Sequence, residues 1–142
     1  MGKIKAFAPK SNIVIEGQAT RGLYILLHGT VSVYKNDRSN QNMIRLAYLE
    51  SGAAFGELSL FDDAPRSATV ISEAHCFLFC LDIAVFDDFL TTRGDNIRFR
   101  FYRKCAEEMA ARFRQQNSDY IISQKLLWAH ALRKKKEENP ES

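Results

Sequence analysis

The segment from Gly52 to Val70 (Gly-Ala-Ala-Phe-Gly-Glu-Leu-Ser-Leu-Phe-Asp-Asp-Ala-Pro-Arg-Ser-Ala-Thr-Val) joins residue types that rarely stand together without a chemical reason. Gly56 lets the backbone approach a ligand closely, and a helical turn predicted from Gly56 to Phe61 leaves free N–H groups at its start, which attract an anion. Arg66 adds a planar fork of donors suited to two phosphate oxygens. Glu57, at the same turn, repels a phosphate but accepts hydrogen bonds from hydroxyls such as those of a ribose. Phosphate and sugar hydroxyl together point to a nucleotide. Elsewhere the chain offers little chemistry. His28, His75 and His130 are scattered, Asp62-Asp63 and Asp87-Asp88 read as turn and helix-surface acids, and the cysteines and histidines lack metal-ligand spacing. With no nucleophile–base arrangement and no pair of catalytic carboxylates, the sequence reads as a non-enzyme that needs no cofactor and no metal.

The elements that must position this segment change character along the chain. Up to about Leu81 short apolar runs alternate with turn residues: Ile13–Ile15, Leu23–Leu27, Thr30–Tyr34, Met43–Leu49, Ala68–Ile71 and Cys76–Leu81. Many short strands with glycine at the corners predict a small antiparallel barrel or jelly roll. After Asp82, a residue suited to cap a helix, Val85, Phe86, Phe89 and Leu90 predict a short helix that stops near Gly94. A long helix follows, with no internal Gly or Pro before Pro140. Phe99, Tyr102, Ala106, Met109, Phe113, Gln116, Tyr120, Ser123, Leu127 and His130 recur at 3-4 spacing along it, a seam that is apolar in its first half and mixed in its second. Asn117-Ser118-Asp119 is a poor helix interior, so a break is expected around residues 115–119. The predicted layout is a mainly β core with its short helix over 1–94, a long helix or pair of helices over 95–133 serving as lid or dimerisation element, and a disordered tail over 134–142.

Length and composition bound the rest. A chain of 142 residues, 46% hydrophobic and 26% charged, is long enough for one cored domain and is neither disordered nor low-complexity as a whole. No apolar run reaches the roughly 18–20 residues of a membrane span, and Met-Gly-Lys-Ile-Lys-Ala-Phe holds no signal-peptide core. The net charge of +3 is uneven, −1 over residues 1–94 and +4 over 95–142, with much of the excess in Arg133–Lys136. A globally basic nucleic-acid binder would look different, so DNA is not expected as a partner of this chain. Cys76 and Cys80 in an apolar strand read as free buried thiols, and a reducing cytoplasm is the expected setting.

Phe55-Gly56-Glu57-Leu58-Ser59-Leu60 followed by Pro65-Arg66-Ser67-Ala68-Thr69-Val70 closely resembles the phosphate-binding cassette of the cyclic nucleotide-binding domain family. That family includes bacterial catabolite activators, protein kinase A regulatory subunits and cyclic nucleotide-gated channels. The resemblance runs from about Phe7 to Phe113 and includes Gly17, Leu23–Leu26, Gly29 and Val31–Tyr34. It implies a jelly-roll receptor for a cyclic mononucleotide, cAMP in preference to cGMP. Glu57 would bind the ribose 2′-hydroxyl and Arg66 the exocyclic phosphate oxygens. Backbone N–H groups around Gly56–Leu58 and Ser67–Ala68 would complete the cradle, with Phe55, Ser59 and the Ser67 hydroxyl in the contact set. Gln116 and Asn117 fall near the positions that reach the base in the catabolite activators, as amides where that branch has a hydroxyl pair. The implied response is a movement of the C-terminal helices that alters binding to an unidentified protein or to a second copy through residues 97–127. Two other readings fit: the effector domain of a transcription regulator lacking its DNA-binding domain, and an interaction module that no longer binds nucleotide. The N-terminal helices usual before the barrel are almost absent, and the residues after the long helix are too few for a helix-turn-helix, as in a stand-alone module or a piece of a longer protein.

Overall fold

The computed structural model describes residues 2–138, which fall into two compact units divided between Thr92 and Arg93. The first is built from eight strands: β1 (Gly2–Phe7), β2 (Asn12–Val14), β3 (Gly22–His28), β4 (Thr30–Asn36), β5 (Met43–Glu50), β6 (Ala54–Phe55), β7 (Thr69–Ser72) and β8 (Cys76–Asp82). They form two four-stranded antiparallel sheets, ordered β1-β8-β3-β6 and β2-β7-β4-β5. Alternation puts Leu26, Phe55, Cys76 and Leu78 of the first sheet against Val14, Val31 and Val70 of the second. Two half-apolar faces thus shed water together, as sheet sandwiches require.

β8 is apolar on both faces for a reason. Cys76, Leu78 and Cys80 point into the core, while Leu81 joins Leu23 and Ile83 in a second cluster flanked by Leu60, Phe79 and Phe86. Burial pushes the Cys80 thiol pKa up, as befits a side chain acting as a small hydrophobe. Helix α1 (Ile83–Thr92) starts where the Asp82 carboxylate accepts the Ala84 N–H at 2.9 Å, the cap expected from the sequence. Gly29 turns β3 into β4 at φ +93°, where a Cβ would lie 2.4 Å from the His75 carbonyl oxygen.

Two strands were not foreseen. β1 pairs with β8 from Gly2↔Leu81 to Phe7↔Cys76, yet Lys3 and Lys5 interrupt its apolar pattern because it is a sheet edge. β6 has only two residues, held by Tyr24 and Ile25 of β3.

The second unit contains one helix, α2 (Asp95–Glu138), 44 residues and about 66 Å long. The break expected at 115–119 does not occur. Gln115 Nε2 donates to Asp119 Oδ1 at 2.9 Å and Ser118 Oγ to the Arg114 carbonyl at 3.1 Å, so these polar side chains bond along the helix and leave its backbone intact. Nor does the helix stop at Arg133. It continues through Glu138, five residues into the stretch read as tail, because Lys134–Glu138 are good helix formers and Lys135 and Lys136 meet the negative end of the dipole. Residues 139–142 lie outside the described residues. No described residue of α2 is buried, and Phe99, Phe113, Tyr120 and Leu127 of the predicted seam are each more than 60% exposed.

Candidate functional site

The distinctive segment leaves β6 at Phe55 and turns through Gly56, which adopts the left-handed conformation (φ 86°, ψ 8°). A Cβ there would sit 2.4 Å from the Gly22 carbonyl oxygen and 2.9 Å from Arg66 Nη1, so this corner admits only glycine. The helical turn expected from Gly56 to Phe61 is present as a short 3-10 helix, Glu57–Leu60, closed by Phe61 N–H donating to the Leu58 carbonyl at 3.0 Å.

Arg66 lies behind this turn with only 7% of its surface exposed. Its Nη2 donates to the Gly22 carbonyl at 2.8 Å, Nη1 to Ser59 Oγ at 3.1 Å and to the Gly56 carbonyl at 3.5 Å, and Nε to Thr20 Oγ1 at 3.3 Å. The guanidinium carbon stands 5.7 Å from the centre of the Tyr24 ring, which is stacked on Phe55 at 5.1 Å. Burial pushes the guanidinium pKa below its ordinary value, partly offset by Tyr24. The hydrogen-bond acceptors are neutral, so they orient the cation without cancelling its charge. A planar cation held this way stabilises an anion far better than an exposed arginine could.

Each residue singled out from the sequence has a definite place. Phe55 and Ser59 are buried, the first in the core and the second under Arg66, so both shape the site from beneath. Glu57 is half-buried at the start of the turn, Leu58 is exposed, and Leu60 packs against the second apolar cluster. Ser67 is exposed and Ala68 half-buried where the chain returns to β7. Gln116 and Asn117 stand exposed on α2, in the other unit.

Sequence reasoning missed the loop between β2 and β3 and the end of β4. Arg66 N–H donates to the Gln18 carbonyl at 2.9 Å, and Gly17 N–H to the Arg66 carbonyl at 2.8 Å. Arg21 Nη2 donates to the Ser59 carbonyl at 3.0 Å while Nη1 pairs with Asp63 at 2.8 Å, tying the turn to the start of β3. Lys35 reaches the Ser67 carbonyl from β4. The available signal was a pair of basic residues flanking predicted strands, which fits any solvated loop equally well. Among the described residues no group of three or more His, Cys, Asp or Glu could hold a metal ion.

The model of the cyclic nucleotide-binding domain matches residues 4–93, which contain the sandwich from the middle of β1 onward, the glycine corner and Arg66. The chain belongs to the cyclic nucleotide-binding domain family. It is 30% identical over 105 residues to the cAMP-dependent protein kinase regulatory subunit of Blastocladiella emersonii, covering 74% of this chain and 26% of that protein. Over 70 residues it is 41% identical to the cGMP-dependent protein kinase of Plasmodium berghei, covering 49% of this chain and 8% of that one. The chain thus spans about a quarter or less of these two relatives. The Thermus thermophilus catabolite activator protein shares the fold with a TM-score of 0.70 at 22% identity, over 85% of this chain and 54% of its own. Among the described residues no helix is long and apolar enough to cross a membrane.

Proposed function

We propose that this domain is a receptor for a cyclic mononucleotide, cAMP in preference to cGMP, and that it acts by binding, without catalysis. The observation that carries this reading is the buried Arg66 guanidinium, held by neutral acceptors directly behind the Gly56 corner. In this reading Arg66 takes the exocyclic oxygens of the cyclic phosphate, N–H groups of the turn and of Ser67 and Ala68 complete the cradle, and Glu57 accepts the ribose 2′-hydroxyl. The relatives' names support the ligand class, and Ser67 after the arginine, as in the cAMP-binding bacterial branch, favours adenine.

The same geometry supports a response. Leu60 of the turn and Phe86 of α1 flank one apolar cluster, so a displacement of the turn changes the packing of α1. Ligand then selects the arrangement of α1 that it binds better, and shifts the equilibrium only by that difference. The exposed seam of α2 serves self-association or a protein partner in this reading. Calorimetry with cAMP, cGMP and 5′-AMP tests it. Saturable binding of cAMP, weaker for cGMP and absent for 5′-AMP, is expected; equal uptake of 5′-AMP would contradict a site built for a cyclic phosphate.

A further inference from the structure

The return of the chain from Arg66 to β7 is held by a small ionic device. Lys35, next to last in β4, donates from Nζ to the Ser67 carbonyl and pairs with Glu16 Oε1 at 2.9 Å. The other Glu16 oxygen accepts the Asn36 N–H at 2.9 Å, and the Glu16 N–H donates to Thr69 Oγ1 at 3.0 Å. These bonds, the Asn36 N–H first and Lys35 next, hold the Glu16 carboxyl below its ordinary pKa.

The consequence follows from peptide geometry. In a trans peptide the C=O and the N–H of one unit point in opposite directions, and no described bond here is cis. Gly17 N–H holds the Arg66 carbonyl, so the Ser67 N–H points away from Gly17. Lys35 holds the Ser67 carbonyl, so the Ala68 N–H points away from Lys35. Among the described residues neither N–H donates any of the backbone hydrogen bonds of turns and loops. These are two of the donors that the proposed function gives to the phosphate.

We propose that Lys35, pinned by Glu16, is a positioning residue for the cyclic nucleotide: it sets the Ser67–Ala68 peptide so that its N–H faces the phosphate. This role rests on the proposed function and deepens it. Lys35 acts through a backbone carbonyl, and Glu16 acts through Lys35.

A plain electrostatic contribution from Lys35 makes a different prediction, and the sign of one variant separates the two. If Lys35 merely adds positive potential, Glu16→Ala removes an opposing charge and raises cAMP affinity. If Lys35 positions the peptide, Glu16→Ala frees it and lowers affinity. The test is calorimetry of the full chain with cAMP for wild type, Lys35→Met, Glu16→Ala and the double variant, with a thermal melt of each. Each single change should weaken binding by roughly three- to ten-fold, the size of one net hydrogen bond. The double variant should lose little more than either alone, because both act on one contact. The two diastereomeric phosphorothioates of cAMP give a readout that general destabilisation does not move, and their affinity ratio should change in Lys35→Met. Tighter binding in Glu16→Ala, or unchanged affinity and ratio in Lys35→Met, overturns the role while leaving the proposed function standing. Wild-type protein that binds neither cAMP nor cGMP overturns both.

Discussion

Arg66 and Arg103 are the same side chain in two surroundings, and they summarise the two units. Arg103 stands on α2 with its Nε 3.1 Å from Glu107, one turn along the helix, and both side chains are more than half exposed. Its charge is cancelled by a neighbour and screened by water, so it contributes little beyond solubility. Arg66 is desolvated, and its hydrogen bonds go to carbonyl and hydroxyl oxygens. A cation solvated by fixed neutral dipoles keeps its field, and an anion that reaches it needs little reorganisation of the protein. The apolar residues divide in the same way. Leu26, Val31 and Leu78 are fully buried in the sandwich, whereas no described residue of α2 is buried. Periodicity alone therefore does not say whether an apolar face is core or surface. The partner strand decides.

The largest expected effect sharpens this contrast. Leu78→Ala should cost about 2–5 kcal/mol of stability, because it opens a cavity between two sheets. Leu127→Ala on α2 should stay within about 0.5 kcal/mol. Chemical denaturation at low protein concentration measures both, and equal losses would break the distinction between core and exposed seam. Next come two glycines with similar φ and different neighbours. Gly56→Ala meets the Gly22 carbonyl, while Gly52 at φ +94° has nothing within 4 Å of a Cβ. Gly52→Ala should cost about 1 kcal/mol from backbone strain alone. Gly56→Ala should cost up to about 3 kcal/mol and should weaken cAMP binding, which Gly52→Ala leaves intact.

A smaller effect concerns the sugar. Glu57→Ala and 2′-deoxy-cAMP should each weaken binding, and their combination should cost much less than the sum, since both remove one charge-assisted hydrogen bond. Additive losses in calorimetry would move Glu57 to another role. The smallest is a pH effect remote from the site. Glu73 is pulled from 4.5 to about 2, chiefly by its hydrogen bond from Lys10 Nζ at 2.9 Å, with the Ser32 and then the Tyr34 hydroxyl adding to it. A depressed carboxyl pKa stabilises the fold above its unfolded value and loses that contribution as pH falls from about 4.5 towards 2. Glu73→Gln should flatten this part of the acid limb in melts followed by circular dichroism, and an unchanged limb would assign it to other carboxylates.

The sandwich and the chemical core of the site were legible because both depend on local sequence. Strands such as Thr30–Tyr34 alternate at period two, and Gly56, Glu57 and Arg66 fall within one short segment. What escaped depends on contacts remote in sequence or on competition between local terms. Arg21, Lys35 and Glu16 act only once β3, β4 and the loop after β2 are brought beside the turn. β1 is a strand because β8 offers it a register, despite its lysines. The unbroken α2 shows propensity outweighed at Asn117-Ser118-Asp119 by side chains that bond four residues along the helix. Phe55 belongs to the recognisable motif, and its ring lies in the core stacked on Tyr24, a packing contact that only the pairing of β6 with β3 creates.

The central claim is that the Arg66 field awaits a cyclic phosphate. A paired titration tests it most directly: cAMP into wild type and into Arg66→Ala, each first shown to be folded by a cooperative melt. Losing the guanidinium leaves its neutral acceptors without a donor, so a lower melting temperature is expected, but the sandwich should persist. The account predicts saturable binding to wild type and an affinity for Arg66→Ala reduced about 30-fold to several thousand-fold, the effect of leaving a desolvated charge unpaired. Equal affinity of the two folded proteins for cAMP would contradict it.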